Sequence, residues 1–294
     1  MLLRDDARRP SHRRCRARCC RPLHRGGIQR PRLHARAGDG TARRRGDARR
    51  PRAHDRHRRP FAGAIPERTP AIQGRSSLNV RVTSLLEGAR LATGHAVIVD
   101  VFRAFTTAAF CIAAGAREIV LVADHEQALA MKRRDPRLFL TGEIGGRPIP
   151  GFDVGNSPSA IEKLDLTGRR VVQRTSSGTQ GVVAATGAAE VLLGSLVIAS
   201  ATARYLANAD VVTVVAMGSS AQERSEEDEL GAAFIAARLR GEIAKASLDL
   251  RDDTVWEEWF PRRDAELALE VDRFAFALPV YRESGLLIAR PEYV

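Results

Sequence analysis

HAVIVDV (residues 95–101) is followed at once by RAFTTAAFCIAA (103–114). The first stretch is a short apolar run ending in an acid, the pattern of a strand buried on both faces of a sheet. The second predicts a helix, and Gly115 stands where its last turn must stop. Working outward, the alternation repeats. A strand is predicted at 118–122, then a helix at 125–134 with Asp124 as its N-cap. Strands follow at 138–141, 170–174, 190–193 and 211–217, with helices reaching Thr186, spanning 199–208 and spanning 226–240. Strands separated by helices of about ten to fifteen residues build βαβ units around a parallel sheet. The expected fold class is α/β: three layers, α/β/α, with a mostly parallel sheet.

Two regions break the alternation. Residues 142–168 form a long predicted loop opening GEIGGRPIPGFDVGNSPSA. Residues 248–270 carry Trp256 and Trp259 among charges, and 271–282 offer one further strand. One α/β domain is therefore expected over 78–294, with 242–294 as its C-terminal part, packed against it or capping it.

The net charge of +12 and the pI near 10.7 belong to one end of the chain. Residues 1–75 hold 23 Arg, no Lys and 6 acids, whereas the remaining 219 residues hold 24 basic and 29 acidic side chains. The Arg-, Pro-, His- and Gly-rich stretch has no apolar period and cannot bury enough surface to offset its chain entropy. Residues 1–77 are expected to be a disordered basic extension. An extension upstream of the true start codon is the reading favoured over a nucleic-acid-binding arm or a targeting peptide, since no apolar h-region is present. Nucleic acid is not an expected partner of the folded part. Cys15, Cys19 and Cys20 lie in this stretch without the paired spacing of a zinc site. Only Cys111 remains in the domain, where it reads as a small core residue. That usage points to a reducing compartment, the cytoplasm. No run approaches the roughly 18 apolar residues of a membrane span. The oligomeric state is left open, a homo-oligomer included.

In open parallel sheets, ligands bind beyond the carboxyl ends of the strands. Several polar clusters fall there: Asp100 to Thr107 (DVFRAFTT), Gly142-Glu143, Thr175 to Thr179 (TSSGT), Gly218 to Ser220, and the acids Glu226, Glu227 and Asp228. Each has a plain alternative. Asp100 could cap a helix, TSSGT could be a capped turn, the acids could open a solvated helix, and Arg103 could be a surface residue. Together they suit metal-assisted phosphate chemistry, in which hard oxygen ligands hold Mg²⁺ against a substrate phosphate. No G-x-x-x-x-G-K-[ST] is present, nor a Cys-x5-Arg signature, and Phe102 stands where haloacid-dehalogenase phosphatases have a second Asp.

VIVDVFRAFTTAAFCIAAGAREI, GEIGGRPIPGFDVGNSP, RTSSGTQG, LLGSLVIASA and SEEDELGAAFI, in this order, are similar to the 2-phosphosulfolactate phosphatase family. The resemblance is strong over 80–239 and weaker to about 290, and the stretch Gly151 to Pro158 is its most distinctive part. It implies an α/β/α fold, a requirement for Mg²⁺, and hydrolysis of phosphosulfolactate to sulfolactate in coenzyme M biosynthesis. By position, the family's polar motifs fall on Asp100, Arg103, Thr106, Thr107, Glu143, Asp153, Asn156, Ser157, Ser177, Gly178, Thr179, Glu227 and Asp228. Ser177 stands where members commonly have Asn. Phe102 and Phe105 replace an aliphatic and a small residue.

The expected catalytic set is Asp100, Arg103, Glu143, Asp153 and Asp228, acting on a small acidic organophosphate. The expected metal ligands are Asp100, Glu143, Asp153 and Glu227. Substrate contacts are expected from Thr106, Thr107, Asn156, Ser157, Ser177, Gly178 and Thr179, with the TSSGT turn cradling phosphate and Arg103 clamping an acidic group. Direct attack by water is the expected chemistry, an aspartyl-phosphate route the alternative, and a non-catalytic phosphometabolite binder the rival from another class.

Overall fold

The computed structural model describes residues 78–250 and 256–294. The Arg-rich extension to residue 77, with its Cys15, Cys19 and Cys20, lies outside the described residues. The described residues open with β1 (Asn79–Ser84) and α1 (Leu85–Arg90), neither of which the sequence pattern announced. Then come β2 (His95–Val99), α2 (Ala104–Ala113), β3 (Glu118–Leu121), α3 (His125–Arg134) and β4 (Phe139–Ile144). The long loop contains a two-residue β5 (Arg147–Pro148) and a single turn of helix, α4 (Pro158–Ile161). β6 (Arg170–Arg174), α5 (Gly178–Ala184), β7 (Glu190–Gly194) and a 3₁₀ turn (Leu196–Ile198) lead into α6 (Ala199–Tyr205), β8 (Val211–Ala216) and α7 (Glu226–Leu239). α8 (Arg262–Ala268), β9 (Phe276–Glu283), β10 (Leu286–Ala289) and β11 (Glu292–Tyr293) end the chain.

The strands order as β1-β8-β2-β7-β9-β10-β3-β6-β4-β5, with β11 beside β9. Side-chain alternation divides the core. Ile98, Leu193 and Val215 join the layer built on α2 and α5, while Val97, Leu192 and Val214 join the layer built on α6 and α7. Both faces of these strands are buried, which is why they read as unbroken apolar runs.

The C-terminal segment does not sit outside this sheet. The β9–β10 hairpin occupies its middle, antiparallel to β7 on one side and to β3 on the other. An odd consequence follows from those pairings. The parallel group β1, β8, β2, β7 and the parallel group β3, β6, β4 run in opposite directions. Neighbouring strands rotate by about 20–25°. The five steps from β2 to β6 therefore turn the second group by roughly 100–125°. The carboxyl ends of β2 and β6 nonetheless come together. Their meeting is direct: the side chain of Gln173 in β6 donates to the carbonyl of Ala104 at the start of α2, 2.7 Å away.

At the amino end of β3, Glu118 ties that strand to both its neighbours, β6 and the hairpin. It accepts from Arg170 of β6 at 2.5 Å and from Arg290, just beyond β10, at 3.0 Å. Arg290 also grips Glu283 of β9 through two bonds of 2.6 and 2.7 Å. Burial alone would raise the Glu118 carboxyl, but the hydrogen bonds from Arg170 and Arg290 outweigh it and hold the group below its usual range. A depressed carboxyl stabilises the fold above its unfolded-state pKa and loses that contribution as pH falls through the folded value. Glu118→Gln should therefore lower stability at pH 7 by about 1–3 kcal/mol. It should also flatten the wild-type loss on acidification, as read by urea unfolding between pH 7 and pH 3.

Candidate active site

Asp100 is the residue at which the two strand groups join. It follows β2 and is 4% exposed. Its Oδ1 accepts the Ala104 N–H that opens α2, and its Oδ2 accepts the Gly178 N–H that opens α5, each at 2.8 Å. Asp228, in the first turn of α7, links the end of β2 to that of β8, accepting Val101 N–H at 2.6 Å and Gly218 N–H at 2.8 Å. Helix starts and strand-end loops have backbone N–H groups to satisfy, and a carboxylate is the strongest acceptor for them.

These amides do not cancel the cost of burial. Burial pushes the Asp100 carboxyl up to about 7, the Ala104 and Gly178 amides pull against that, and the nearby negative charges of Glu143 and Glu227 add to the rise. Burial and then the charge of Asp100 carry Asp228 well above the ordinary carboxylate range. Glu143 completes the cluster from the end of β4. It accepts Ser176 N–H at 2.5 Å and Gly146 N–H at 2.6 Å. Gly142 makes this placement possible: its φ is +148°, and a Cβ there would lie 1.9 Å from the Arg174 carbonyl oxygen. Glu227 is half-buried, and its carboxylate makes no hydrogen bond among the described residues.

Arg103 is 3% exposed and its partner Asp264, on α8, is fully buried. Nη1 of Arg103 donates to Asp264 Oδ2 and to the Trp259 carbonyl, both at 2.6 Å. The Phe260 ring lies 4.1 Å from the guanidinium carbon. The sequence pattern marks Trp259 only as an aromatic among charges, and it does not mark Asp264 or Phe260. The run RRDAEL reads as a solvated helix, and its link to Arg103 spans 161 positions.

Other expected site residues are held elsewhere. Asp153 is paired with Lys132 and accepts the Leu140 N–H at 2.7 Å, so its carboxylate anchors the long loop to β4 and α3 and is not gathered with the other acids. Ser157 caps α4 and donates to Asp264 at 2.9 Å. The hydroxyls of the TSSGT turn face inward. Thr179 bonds to Thr175, Ser176 to Glu143, and Ser177 to the Gly218 carbonyl. The Gly178 amide meets Asp100, so the turn joins loops to one another and its open phosphate-cradle geometry is not found. Thr106 is bound to the Val101 carbonyl. The Thr107 hydroxyl and the Asn156 carbonyl oxygen are buried without a partner.

Among the described residues, no three His, Cys, Asp or Glu side chains stand together as a finished metal site. No helix among them is long and apolar enough to cross a membrane. A cleft of about 300 Å³, lined in part by Ser157, Ser159, Lys163 and Trp259, opens beside the partners of Asp264.

The family described as 2-phosphosulpholactate phosphatase matches residues 82–270 of this chain. The chain belongs to this family. Among its relatives, a protein of Caldicellulosiruptor saccharolyticus is 35% identical over 150 residues, 49% of this chain and 62% of its own. One of Deinococcus radiodurans is 45% identical over 111 residues, 37% of this chain and 46% of its own. One of Bacillus subtilis is 31% identical over 175 residues, 57% and 75% respectively. All three are named probable 2-phosphosulfolactate phosphatases. The first relatives are matched over less than two thirds of their length, 62% and 59%. The family match takes in Asp100, Glu143, Asp153, Glu227, Asp228 and Asp264, and it stops before the β9–β10 hairpin.

A Cβ at Gly178 would lie 2.9 Å from Asp100 Oδ2, from the Ala104 methyl and from the Phe105 ring. Alanine gains about 1 kcal/mol of helix propensity over glycine. Overpacking costs about 1–3 kcal/mol. The clash should win, so Gly178→Ala should lower the urea midpoint, and an unchanged or raised midpoint would show that the α5 start is not packed as described.

Proposed function

We propose that this chain is a Mg²⁺-dependent phosphatase acting in the cytoplasm on a small, highly acidic phosphate monoester. We take the substrate to be 2-phosphosulfolactate, which would be hydrolysed to sulfolactate and phosphate on the route to coenzyme M. The observation that carries this reading is the excess of carboxylate at one seam of the sheet. Asp100, Glu143, Glu227 and Asp228 influence one another there, while the charge of Arg103 is already balanced by Asp264. A pure anion binder gains nothing from such a seam. A site that also takes a hard divalent cation does, because the cation lifts the repulsion and adds its own attraction for phosphate.

The donor set fits Mg²⁺, which commonly takes one or two carboxylates and completes its shell with water and substrate oxygens. Asp100 and Glu143 are the residues that would hold it. When bound it would neutralise phosphate oxygens and sharpen the acidity of water nearby. The chain's own residues supply the rest. Glu227, whose carboxylate oxygens carry no other hydrogen bond among the described residues, orients a water and takes its proton as the new P–O bond forms. The free edge of the Arg103 guanidinium holds an acidic group of the substrate. Asp228, whose two oxygens accept the Val101 and Gly218 amides, holds the loops after β2 and β8 around the site, and the departing oxygen takes its proton from water. Direct attack by water is favoured over an aspartyl-phosphate because both Asp100 oxygens already accept backbone amides.

Phosphate release from a panel of organophosphates should be seen with 2-phosphosulfolactate and Mg²⁺, and should vanish when the metal is chelated. Asp100→Asn should lower kcat by at least about 10²-fold. No turnover of any member of the panel would overturn the phosphatase reading, and full activity of Asp100→Asn would overturn the role given to that residue.

A further inference from the structure

Arg103 is unusual among the buried charges because its hydrogen bonds are lopsided. Nη1 makes two, to Asp264 and to the Trp259 carbonyl, and Nε and Nη2 make none among the described residues. One face of the guanidinium is covered by Phe260, which is itself wedged edge-on between Phe102 at 5.7 Å and Trp256 at 5.6 Å. The charge of Arg103 is favoured by Glu143 and Asp100, so the group lies within the field of the acid cluster. What remains without a partner among the described residues is the Nε–Nη2 edge, two parallel donors with the spacing of a carboxylate, sulfonate or phosphate.

Asp264 is as firmly fixed as the arginine it holds. Oδ2 takes Arg103, and Oδ1 takes the Ser157 hydroxyl and the Ser159 N–H, each at 2.9 Å. Every one of its polar contacts goes to Arg103 or to the turn that starts α4. The conspicuous stretch 151–158 therefore reaches the site through Asp264. Fixing a guanidinium before the ligand arrives removes the entropy cost of ordering a long flexible side chain, which is about 2 kcal/mol for Arg.

We propose that Asp264 is a positioning residue, which locks Arg103 so that its Nε–Nη2 edge receives the non-phosphate anion of the substrate. The chain segment from Trp259 to Asp264 thereby sets the preference for doubly acidic monoesters. This rests on the proposed function above, and the two separate cleanly in one experiment.

Calorimetry with sulfolactate, which carries the second anion and no phosphate, is run on wild type, Asp264→Asn, Arg103→Gln and the double variant. Phosphate release from 2-phosphosulfolactate is measured alongside. Asp264→Asn should weaken sulfolactate binding about 10–30-fold. Arg103→Gln should weaken it at least as much, and the double variant should match Arg103→Gln alone. In turnover, the Asp264→Asn loss should appear in KM with kcat little changed. Losses that add in the double variant, an Asp264→Asn protein that is folded and binds normally, or a wild type that does not bind sulfolactate would each overturn the positioning role. Coupled binding losses without any phosphate release would keep the positioning role and overturn the phosphatase reading instead. If Asp264→Asn does not fold, Ser157→Ala gives the milder version. It should weaken binding about threefold with Arg103 present and not at all in Arg103→Gln, and equal losses in both backgrounds would overturn the role.

Discussion

Two carboxylates buried where the halves of the sheet meet are the constraint on which the rest of the structure rests. Asp100 and Asp228 together accept backbone N–H groups from Val101, Ala104, Gly178 and Gly218. Those amides belong to the loops after β2, β6 and β8, so the two side chains set how the strand ends stand to one another. An aliphatic replacement would leave four buried donors without partners, each costing on the order of 1–3 kcal/mol. Keeping the acids leaves like charges close together in a dry seam, which burial and mutual repulsion answer by raising both carboxyls. That tension between structural need and electrostatic cost is the ground on which a cation is proposed for the seam.

The seam lies across the C-terminal hairpin. With β9 and β10 between β7 and β3, the two parallel groups are reversed relative to each other, and Asp100 and Gln173 join their carboxyl edges. The hairpin is secured at the far end by Glu118, Arg170, Arg290 and Glu283, well away from the acids. The sheet is thus tied by charged side chains at both ends of β3 and β6.

Much of this was legible in the chain. The β2–α2 unit announces itself by an apolar run, a terminal acid and a glycine stop, and Asp100, Arg103, Glu143 and Asp228 all emerge as neighbours of one another. Short-range pattern carries that information. It does not carry pairing partners, so the strand near 271–282 was visible while its place in the middle of the sheet was not. β1 and α1 were missed because six residues of strand pass straight into a helix at Ser84, with no turn residues between them. The composition of the TSSGT turn fits a phosphate cradle or a capped turn, and in the fold its Thr175, Ser177 and Thr179 hydroxyls are buried while Ser176 is half-buried against Glu143. Asp153 looked like a ligand because it lies in a distinctive motif, yet Lys132 and the Leu140 amide engage it. Asp264 gave no local signal at all, since its meaning depends on an arginine far away in sequence.

The central claim is that the Asp100–Glu143 seam takes a divalent cation which the fold alone leaves it wanting. Manganese, as a paramagnetic stand-in for Mg²⁺, tests this without reference to turnover. Electron paramagnetic resonance titration of Mn²⁺ should show a bound ion in the wild type, displaced by excess Mg²⁺ and weakened at least about tenfold in Asp100→Asn. Equal Mn²⁺ affinity in wild type and Asp100→Asn, or none in either, would contradict the account.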